Sequence, residues 1–345
     1  MKRASIAPRP PAPANLLRLP AGHAPVLLVV IDTEEEFDWS TPFDRRNTGV
    51  GHMQEIELLQ AAFDEFRIRP VYVVDYPIAT QRASVEPLRA IASSGRAEIG
   101  AHLHPWVSPP FDEPVNAHNS YPGNLPRELE AAKLRQLASA IEEHLGVRPR
   151  SYKAGRYGFG PNTAQLLEEL GFAVDLSPCP AFDLTADGGP DWSAHSPEPF
   201  RIADTRVVSI PVTGAFVGFA RRAAPALYRF ACSPGVAWSR LPGILSRTGA
   251  LERLMLSPEG YEPEHHRRLT RALIARGVRT FTFSLHSPSI RPGCTPYVRS
   301  AADRVQFLDA CRRYFDFFFR ELGGVTQTAS ELALSLESRA QKVIA

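Results

Sequence analysis

The chain has 345 residues, of which 44% are hydrophobic, and its 39 Lys and Arg residues nearly balance 37 Asp and Glu residues, for a formal charge of +2. This balance argues against a general nucleic-acid-binding protein, which usually has a strongly basic stripe. The four cysteines lie far apart without CxxC spacing. They indicate neither a disulfide framework nor a cysteine zinc site, and they are typical of reduced thiols in the cytoplasm.

Residues 1–24 are rich in proline and alanine and predict a flexible tail. They lack the apolar run of about 7–15 residues that a secretory signal needs. Elsewhere the chain has no stretch that approaches the roughly 18–20 apolar residues of a membrane span. We therefore expect a cytoplasmic protein without a membrane span, in which residues 25–340 form a single domain.

Apolar strands and helices alternate along this domain. The predicted strands lie at Val26–Ile31, Val71–Val74, Glu98–His102, Ser151–Ala154, Phe172–Leu176, Val207–Pro211, near Ala215–Phe219, Arg279–Leu285 and Val325–Gln327. The predicted helices lie at 52–66, 77–94, 127–145, 161–170, 264–276, 301–322 and from 329 onward. Residues 178–263 are rich in Pro, Gly and Ser and predict an elaborated, partly helical insertion. The alternation predicts a parallel sheet with outer helices, in an α/β barrel or an incomplete barrel.

The most informative motif is Ala-His-Leu-His-Pro, at the end of the third predicted strand. His102 and His104 stand two apart, so both imidazoles point to the same face of an extended strand. A second cluster, Asp32-Thr33-Glu34-Glu35-Glu36, ends the first strand and offers carboxylates at the same level. Two histidines and a carboxylate form a common catalytic zinc set that leaves a fourth position for water. The sequence therefore predicts a site for a divalent metal ion, with zinc as the metal.

Three more polar side chains lie at or near the ends of predicted strands, namely Arg156, Asp175 and His286. The carboxyl ends of parallel strands meet at one end of a barrel, where barrel enzymes assemble their active sites. We therefore expect these groups to share one site with the histidines. Four other histidines have no comparable setting and stay outside the predicted site: His118, His195, His265 and His266.

These motifs resemble, in order, those of the polysaccharide deacetylase superfamily, the NodB-homology fold of family 4 carbohydrate esterases. The paired acids of the family's first motif are matched by Val30-Ile31-Asp32-Thr33-Glu34, and the metal histidines of its second by residues 98–105. The remaining motifs are matched by Tyr152-Lys153-Ala154-Gly155-Arg156-Tyr157, Val174-Asp175-Leu176-Ser177 and Phe283-Ser284-Leu285-His286. The likeness spans about residues 26–335 and is closest to a cytosolic branch beside surface-polysaccharide genes, often called WalW-type. It implies a distorted (β/α)7 barrel.

The chain departs from the family pattern in two places. The family usually spaces its histidines four apart, and here they are two apart. Its second aspartate, normally a ligand, is replaced by Thr33. The implied metal ligands are therefore Glu34, His102 and His104. The acidic residues that stay open as alternative ligands are Asp32, Glu35 and Glu36.

The resemblance implies metal-dependent removal of an acyl group, an N-acetyl group above all, from a sugar or from a nucleotide-linked or lipid-linked glycan precursor. In this reading Asp32 is the general base, Arg156 orients it, and His286 protonates the leaving amine. Asp175 would support the basicity of His286. The predicted substrate-binding residues are Trp39, Trp106 and Tyr157.

Two other functions stay open at this point. One is a metal-dependent amidohydrolase that acts on a small non-sugar amide, for which a small closed pocket would be expected. A broad groove lined by aromatic side chains would instead favour a sugar. The other is a catalytically inactive relative that binds carbohydrate, for which no stoichiometric metal ion is needed.

Overall fold

The structure, a computed structural model, describes residues 9–344 except 234, 235, 237, 239 and 240. Its strands are β1 (Val26–Thr33), β2 (Val71–Val74), β3 (Glu98–Leu103), β4 (Ser151–Ala154), β5 (Val174–Asp175), β6 (Phe200–Arg201), β7 (Val208–Ser209), β8 (Gly214–Val217), β9 (Glu252–Met255), β10 (Thr280–His286) and β11 (Val325–Thr326). Its α-helices are α1 (Ile56–Asp64), α2 (Tyr76–Thr80), α3 (Arg82–Ser93), α4 (Arg127–Leu145), α5 (Thr163–Leu170), α6 (Ala224–Ala231), α7 (Leu241–Arg247), α8 (Pro263–Ile274), α9 (Ala301–Asp316) and α10 (Ala329–Ile344).

The central sheet has, within the described ranges, the strand order β10-β1-β2-β3-β4-β5-β7-β6, and β11 pairs with the start of β1. All of its pairings are parallel except that of β6 with β7. Helices cover its outer side, as parallel sheets require. The predicted α/β barrel is confirmed as a curled, incomplete barrel.

The gap between β7 and β10 is bridged by single hydrogen bonds. Thr213 N donates to Thr282 O at 3.2 Å, and Leu256 N donates to Thr213 O at 2.8 Å. Ser284 N in turn donates to Leu256 O at 3.1 Å. Thr213 and Leu256 flank the separate β8–β9 hairpin, whereas Thr282 and Ser284 lie on β10. Part of the predicted insertion at 178–263 therefore closes the barrel wall, and β6 and β7 extend the sheet.

Alternation along the strands separates an outer core from an inner one. Residues 27, 29 and 31 of β1 pack outward with the helices, whereas residues 26, 28 and 30 pack in the inner cluster with α10. Because the side-chain period of a strand is two, the continuation of this pattern places Asp32 and Glu34 inside the barrel. The same alternation turns His102, Lys153 and His286 inward, since their strand neighbours belong to the outer core.

The segment predicted as a flexible tail is packed against the barrel along part of its length. Leu17 and Leu19 are buried in the inner cluster, and Leu17 N donates to Pro199 O at 2.8 Å. Apolar side chains at these two positions cover the end of the barrel that lies opposite the site. Residues 1–8 of the predicted tail lie outside the described residues. Among the described helices, none combines the length and the apolar composition needed to cross a membrane.

Candidate metal and catalytic site

Glu34, His102 and His104 form a buried group whose ligand atoms point at one another. Glu34 Oε2 lies 3.5 Å from Nε2 of His102 and 3.5 Å from Nε2 of His104. β1 and β3 bring them together, because both strands end at the same end of the barrel. The structure therefore brings together the three predicted metal ligands.

The outer nitrogens of both imidazoles are held by hydrogen bonds. His102 Nδ1 donates to Lys153 O at 3.0 Å, and His104 Nδ1 donates to Glu35 Oε2 at 2.8 Å. This leaves the Nε2 lone pairs directed toward Glu34, which is the arrangement found for histidines that bind zinc. A His₂–carboxylate donor set with its outer hydrogen bonds in place fits a catalytic divalent ion.

Glu35 belongs to a second buried group, with Asp75 and His104. Its Oε1 accepts from Trp106 Nε1 at 2.7 Å, and its backbone N donates to Asp75 Oδ2 at 2.7 Å. Burial raises the pKa of Glu35 to about 8 and raises that of Asp75 well above its ordinary value. Both Glu35 oxygens are occupied by hydrogen bonds from His104 and Trp106, so Glu35 orients His104, and Glu34 is the better candidate ligand.

Asp32 is engaged by Lys153, which was not among the predicted site residues. Lys153 Nζ donates to Asp32 Oδ1 at 2.6 Å and Oδ2 at 2.7 Å, and both side chains are buried. Burial alone would raise the pKa of Asp32, but the charge of Lys153, its hydrogen bonds and the charge of His286 outweigh it and lower that pKa. Asp32 is therefore an ionised carboxylate.

The prediction that Arg156 orients Asp32 is wrong. The Arg156 guanidinium stacks on Tyr121, 4.1 Å from the ring centroid, and donates to Ser120 Oγ at 2.7 Å. Lys153, three residues earlier and on the inward face of β4, is the cation that reaches Asp32. Arg156 follows the strand in a turn, so strand alternation does not direct it inward.

His286 lies beside Asp32 on the adjacent strand, in register with it, and its Nε2 is 3.6 Å from Asp32 Oδ2. Its Nδ1 donates to Glu259 Oε2 at 2.6 Å, and its backbone N donates to Glu259 Oε1 at 3.1 Å. Burial lowers the pKa of His286, but Glu259, Glu34 and Asp32 outweigh this and raise it to about 10. His286 is therefore held as an imidazolium.

The predicted support of His286 by Asp175 is also wrong. Val174 and Leu176 belong to the inner cluster, so Asp175 between them points to the opposite face of β5. Its carboxylate accepts from Ser209 Oγ at 2.7 Å and from Ser177 N at 3.0 Å. Burial raises its pKa to about 6. Glu259 takes the place next to His286 that was predicted for Asp175.

These groups line a cleft of about 410 Å³. Its aromatic side chains are Phe37, Trp39, Phe43, Tyr121, Tyr157, Phe182 and Tyr297. Trp39 and Phe37 also line an adjoining cleft of about 760 Å³. Trp39 and Tyr157, two predicted substrate-binding residues, therefore lie in the cleft wall.

Trp106, the third predicted substrate-binding residue, is not in the cleft wall and is only 1% exposed. It stacks on His104 at a centroid distance of 4.2 Å, with its indole N–H committed to Glu35. Its position after the His-Pro motif buries it beneath the metal group, so its role is to pack the histidine.

A Glu–His–Ser chain supports the Glu34 backbone. His52 Nδ1 lies 3.1 Å from Glu36 Oε1 and its Nε2 lies 2.8 Å from Ser287 Oγ, which accepts from Glu34 N at 3.4 Å. His52 and Ser287 are fully buried, so this chain offers no accessible nucleophile. Glu36 is engaged in this chain, away from the three candidate ligands.

Sequence reasoning missed Lys153 and Glu259 for different reasons. Lys153 is a cation inside a four-residue buried strand, and such a residue needs a buried counter-ion; that signal was available. Glu259 lies in a loop after β9, within the segment interpreted as an insertion, and no local pattern links it to His286.

No family model and no curated protein matches this sequence. Among solved structures, the chain is similar to a Mycobacterium smegmatis protein provisionally described as a polysaccharide deacetylase, with 20% identity, a TM-score of 0.54 and 96% of each chain covered. It is also similar to a Parabacteroides distasonis protein provisionally described as a glycoside hydrolase/deacetylase, with 12% identity, a TM-score of 0.56, and 95% of this chain and 73% of that chain covered. The chain therefore has the fold of these deacetylase-type proteins.

Proposed function

We propose that the protein is a metal-dependent deacylase that hydrolyses an N-acyl group on a sugar. The observation that carries this proposal is the convergence, in one cleft, of a His₂–Glu donor set with an ionised carboxylate and a protonated imidazole. Within the proposal zinc is the metal and the cytoplasm is the location. The substrate is a precursor of a surface polysaccharide, in keeping with the WalW-type likeness of the sequence.

Glu34, His102 and His104 would hold the ion. A divalent ion supplies Lewis-acid polarisation of an acyl carbonyl and makes a water molecule more acidic. Glu35 and the Lys153 carbonyl fix both imidazole rings. Gly155 leaves room for this arrangement, because a Cβ there would lie 2.4 Å from His104 Cδ2.

The chain's own residues divide the proton transfers between them. Asp32 accepts the proton of the attacking water, whose oxygen bonds to the acyl carbon. His286 gives its proton to the nitrogen as the C–N bond breaks, so that the amine leaves neutral and the acid is released. The 3.6 Å separation lets the two groups face one reacting centre and exchange the proton afterwards.

The shape of the cleft supports a sugar over a small amide. Seven aromatic side chains line it, and it continues past Trp39 into the adjoining cleft. Aromatic faces pack on the apolar faces of sugar rings, and an extended groove suits a glycan rather than one small molecule. The complete donor set and both proton-transfer groups support an active enzyme over an inactive relative.

The test is acetate release from N-acetylated oligosaccharides by protein loaded with Zn²⁺, before and after removal of the ion with a chelator. We expect about one ion per chain, and activity that falls on chelation and returns with zinc. The double variant H102A/H104A should lose both the bound ion and the activity. His144→Ala, which replaces a surface histidine on α4, should keep both. A fully loaded wild-type protein that releases no acetate from any N-acetylated or O-acetylated substrate would refute the proposal.

A further inference from the structure

Arg156 is a cation in the cleft wall that the proposed reaction does not use. Among the described residues that line the cleft, Arg156 alone is a lysine or arginine, whereas four are acidic: Asp32, Glu34, Asp187 and Glu259. Asp32 is neutralised by Lys153, and Glu259 and Glu34 face histidines. Arg156 is therefore a positive charge on the wall of the cleft, and most of the acidic side chains on its floor are already paired with Lys153 or a histidine.

The guanidinium is held in place while part of it stays open to the cleft. It lies 4.1 Å from the ring centroid of Tyr121 and 5.1 Å from that of Phe43. Its Nη1 donates to Ser120 Oγ at 2.7 Å, and the side chain is 25% exposed. A planar cation fixed by aromatic contacts loses little freedom when it binds a ligand.

The acidic partner of Arg156 is one that a ligand can replace. Asp187 Oδ2 lies 3.4 Å from Nη2, and the Asp187 side chain is 66% exposed. A long, exposed ion pair of this kind contributes little to stability. Carboxylate and phosphate groups bind arginine through two parallel hydrogen bonds, which the present partner does not make.

The backbone that carries Arg156 adopts an unfavourable conformation. Arg156 has φ 54° and Tyr157 has φ 58°, so two consecutive non-glycine residues lie in the left-handed region. The turn is braced by Gly158 N donating to Gly155 O at 3.0 Å and by Gly123 N donating to Gly158 O at 2.8 Å. Such conformations cluster at ligand-binding positions, where they present side chains that a relaxed turn would turn away.

We propose that Arg156 is an anion-binding subsite, and that the substrate carries a carboxylate or phosphate group on the same molecule as the acyl group. This inference rests on the proposed function. The acyl group reacts at the floor of the cleft while the anion pairs with Arg156 on its wall and displaces Asp187. The substrate class is then an acidic N-acyl sugar, either a sugar acid or a sugar phosphate.

The experiment compares three matched monosaccharides: methyl N-acetylglucosaminide as the neutral substrate, N-acetylmuramic acid, and N-acetylglucosamine 1-phosphate. With zinc-loaded wild type we expect KM for one of the anionic substrates to be about 10-fold below that of the neutral one, in line with a charge-assisted hydrogen bond. The anionic substrate that has the lower KM shows whether the subsite binds a carboxylate or a phosphate. Arg156→Gln should abolish the difference between the KM values of the neutral and anionic substrates, and Arg156→Lys should retain part of that difference.

Two further variants separate an anion subsite from a structural role. Asp187→Asn should lower KM for the anionic substrate, because it removes the competing carboxylate. Arg127→Gln, which breaks an exposed arginine–glutamate pair between α4 and α5, should leave the ratio of the KM values unchanged. Equal KM values for neutral and anionic substrates, or an Asp187→Asn variant with unchanged or weaker anion binding, would overturn the subsite.

A binding measurement keeps the subsite testable if no substrate is hydrolysed, which would count against the proposed function alone. Calorimetry with methyl glucuronoside, glucose 1-phosphate and methyl glucoside should show anion binding to zinc-loaded wild type that Arg156→Gln weakens by about 10-fold. If neither anion binds more tightly than the neutral glucoside, the subsite is refuted.

Discussion

Lys153 donates to both carboxylate oxygens of Asp32, at 2.6 and 2.7 Å, from a strand three places away in the sheet. Both side chains are buried, and Lys153 Nζ also contacts Ser284 Oγ at 3.1 Å. The ion pair keeps a carboxylate charged inside the barrel and fixes its plane. Asp32 can therefore serve as a base in a site where an unpaired carboxyl group would take up a proton.

Replacing Lys153 by Met removes the hydrogen-bonded counter-ion of the buried Asp32 carboxylate. We expect the free energy of unfolding at pH 7 to fall by about 3–5 kcal/mol, the usual cost of breaking a buried pair. Urea unfolding checks this value. The double variant D32N/K153M should recover part of the loss because it removes the stranded charge as well. If K153M alone is as stable as wild type, the pair does not have this role.

The metal group could be predicted because its signal is local. His102 and His104 are two residues apart in a strand, and the alternation of β1 carries Asp32 and Glu34 to the same inner face. The period-two rule therefore predicted that both histidines and an acidic residue of the first strand face the barrel interior, and the family resemblance singled out Glu34. The parallel topology brings the carboxyl ends of β1 and β10 to the same end of the barrel, and their register sets His286 beside Asp32.

The remaining contacts could not be predicted because they depend on tertiary placement. Asp175 stands in a matched motif, yet a shift of one residue relative to the inner positions of β5 turns it to the other face. Glu259 reaches His286 from a loop whose path is set by the β8–β9 hairpin. Trp106 has the sequence position of a groove residue, but its N–H bonds to Glu35 in the interior.

Gly155 is required by close packing rather than by its φ angle. A Cβ at this position would lie 2.4 Å from His104 Cδ2 and 2.5 Å from Leu103 O. Gly155→Ala must therefore displace a candidate ligand, and we expect zinc affinity to fall by at least about 10-fold, as for loss of a group that orients a ligand. Competition with a chromogenic chelator measures this. The matched control is Gly243→Ala, where nothing lies within 4 Å of the added Cβ; equal zinc affinity in both variants would contradict the packing argument.

Glu130 is a buried acid on α4 that gives stability a distinct pH dependence. Its Oε1 accepts from Thr163 Oγ1 at 2.5 Å, while Oε2 has no hydrogen-bond partner among the described residues. Burial raises its pKa from 4.5 to about 7. The folded state therefore keeps a proton that the unfolded chain releases, so this group lowers stability as pH rises from 4.5 to about 7 and has no further effect above that.

Glu130→Gln removes this titration. Between pH 4.5 and about 7, the free energy of unfolding of the variant relative to that of the wild type should rise by an amount on the order of 2–3 kcal/mol. A constant difference between the two proteins at low pH does not affect this comparison. Urea unfolding at pH 4.5, 6 and 8 tests the slope. Glu128→Gln, which removes an exposed carboxylate from the same helix, is the matched control. A stability difference for Glu130→Gln that stays constant with pH would contradict a raised pKa.

His286 and Glu259 give the proposed reaction its own pH signature. Glu259 binds both the ring and the backbone of His286, and Ser289 Oγ donates to Glu259 Oε1 at 2.5 Å. Burial lowers the pKa of His286, but Glu259 above all outweighs this effect and raises that pKa to about 10. The imidazole therefore stays protonated through neutral pH. An acid that must protonate a poor leaving group is useful only below its own pKa, so amide hydrolysis should decline as pH rises through that value.

Glu259→Gln removes the negative charge next to the imidazolium, which favours the neutral ring and lowers the pKa of His286. The alkaline limb of kcat for an N-acetylated sugar should then move toward neutral pH by at least about one unit, and kcat above the new pKa should fall about 10²-fold. Hydrolysis of an activated aryl acetate should change much less, because its leaving group departs without a proton. Ser289→Ala breaks a bond to Glu259 but keeps the charge, so its alkaline limb should stay in place. An equal loss on amide and aryl ester in Glu259→Gln, or an unmoved limb, would show that the proton reaches the leaving group from another residue.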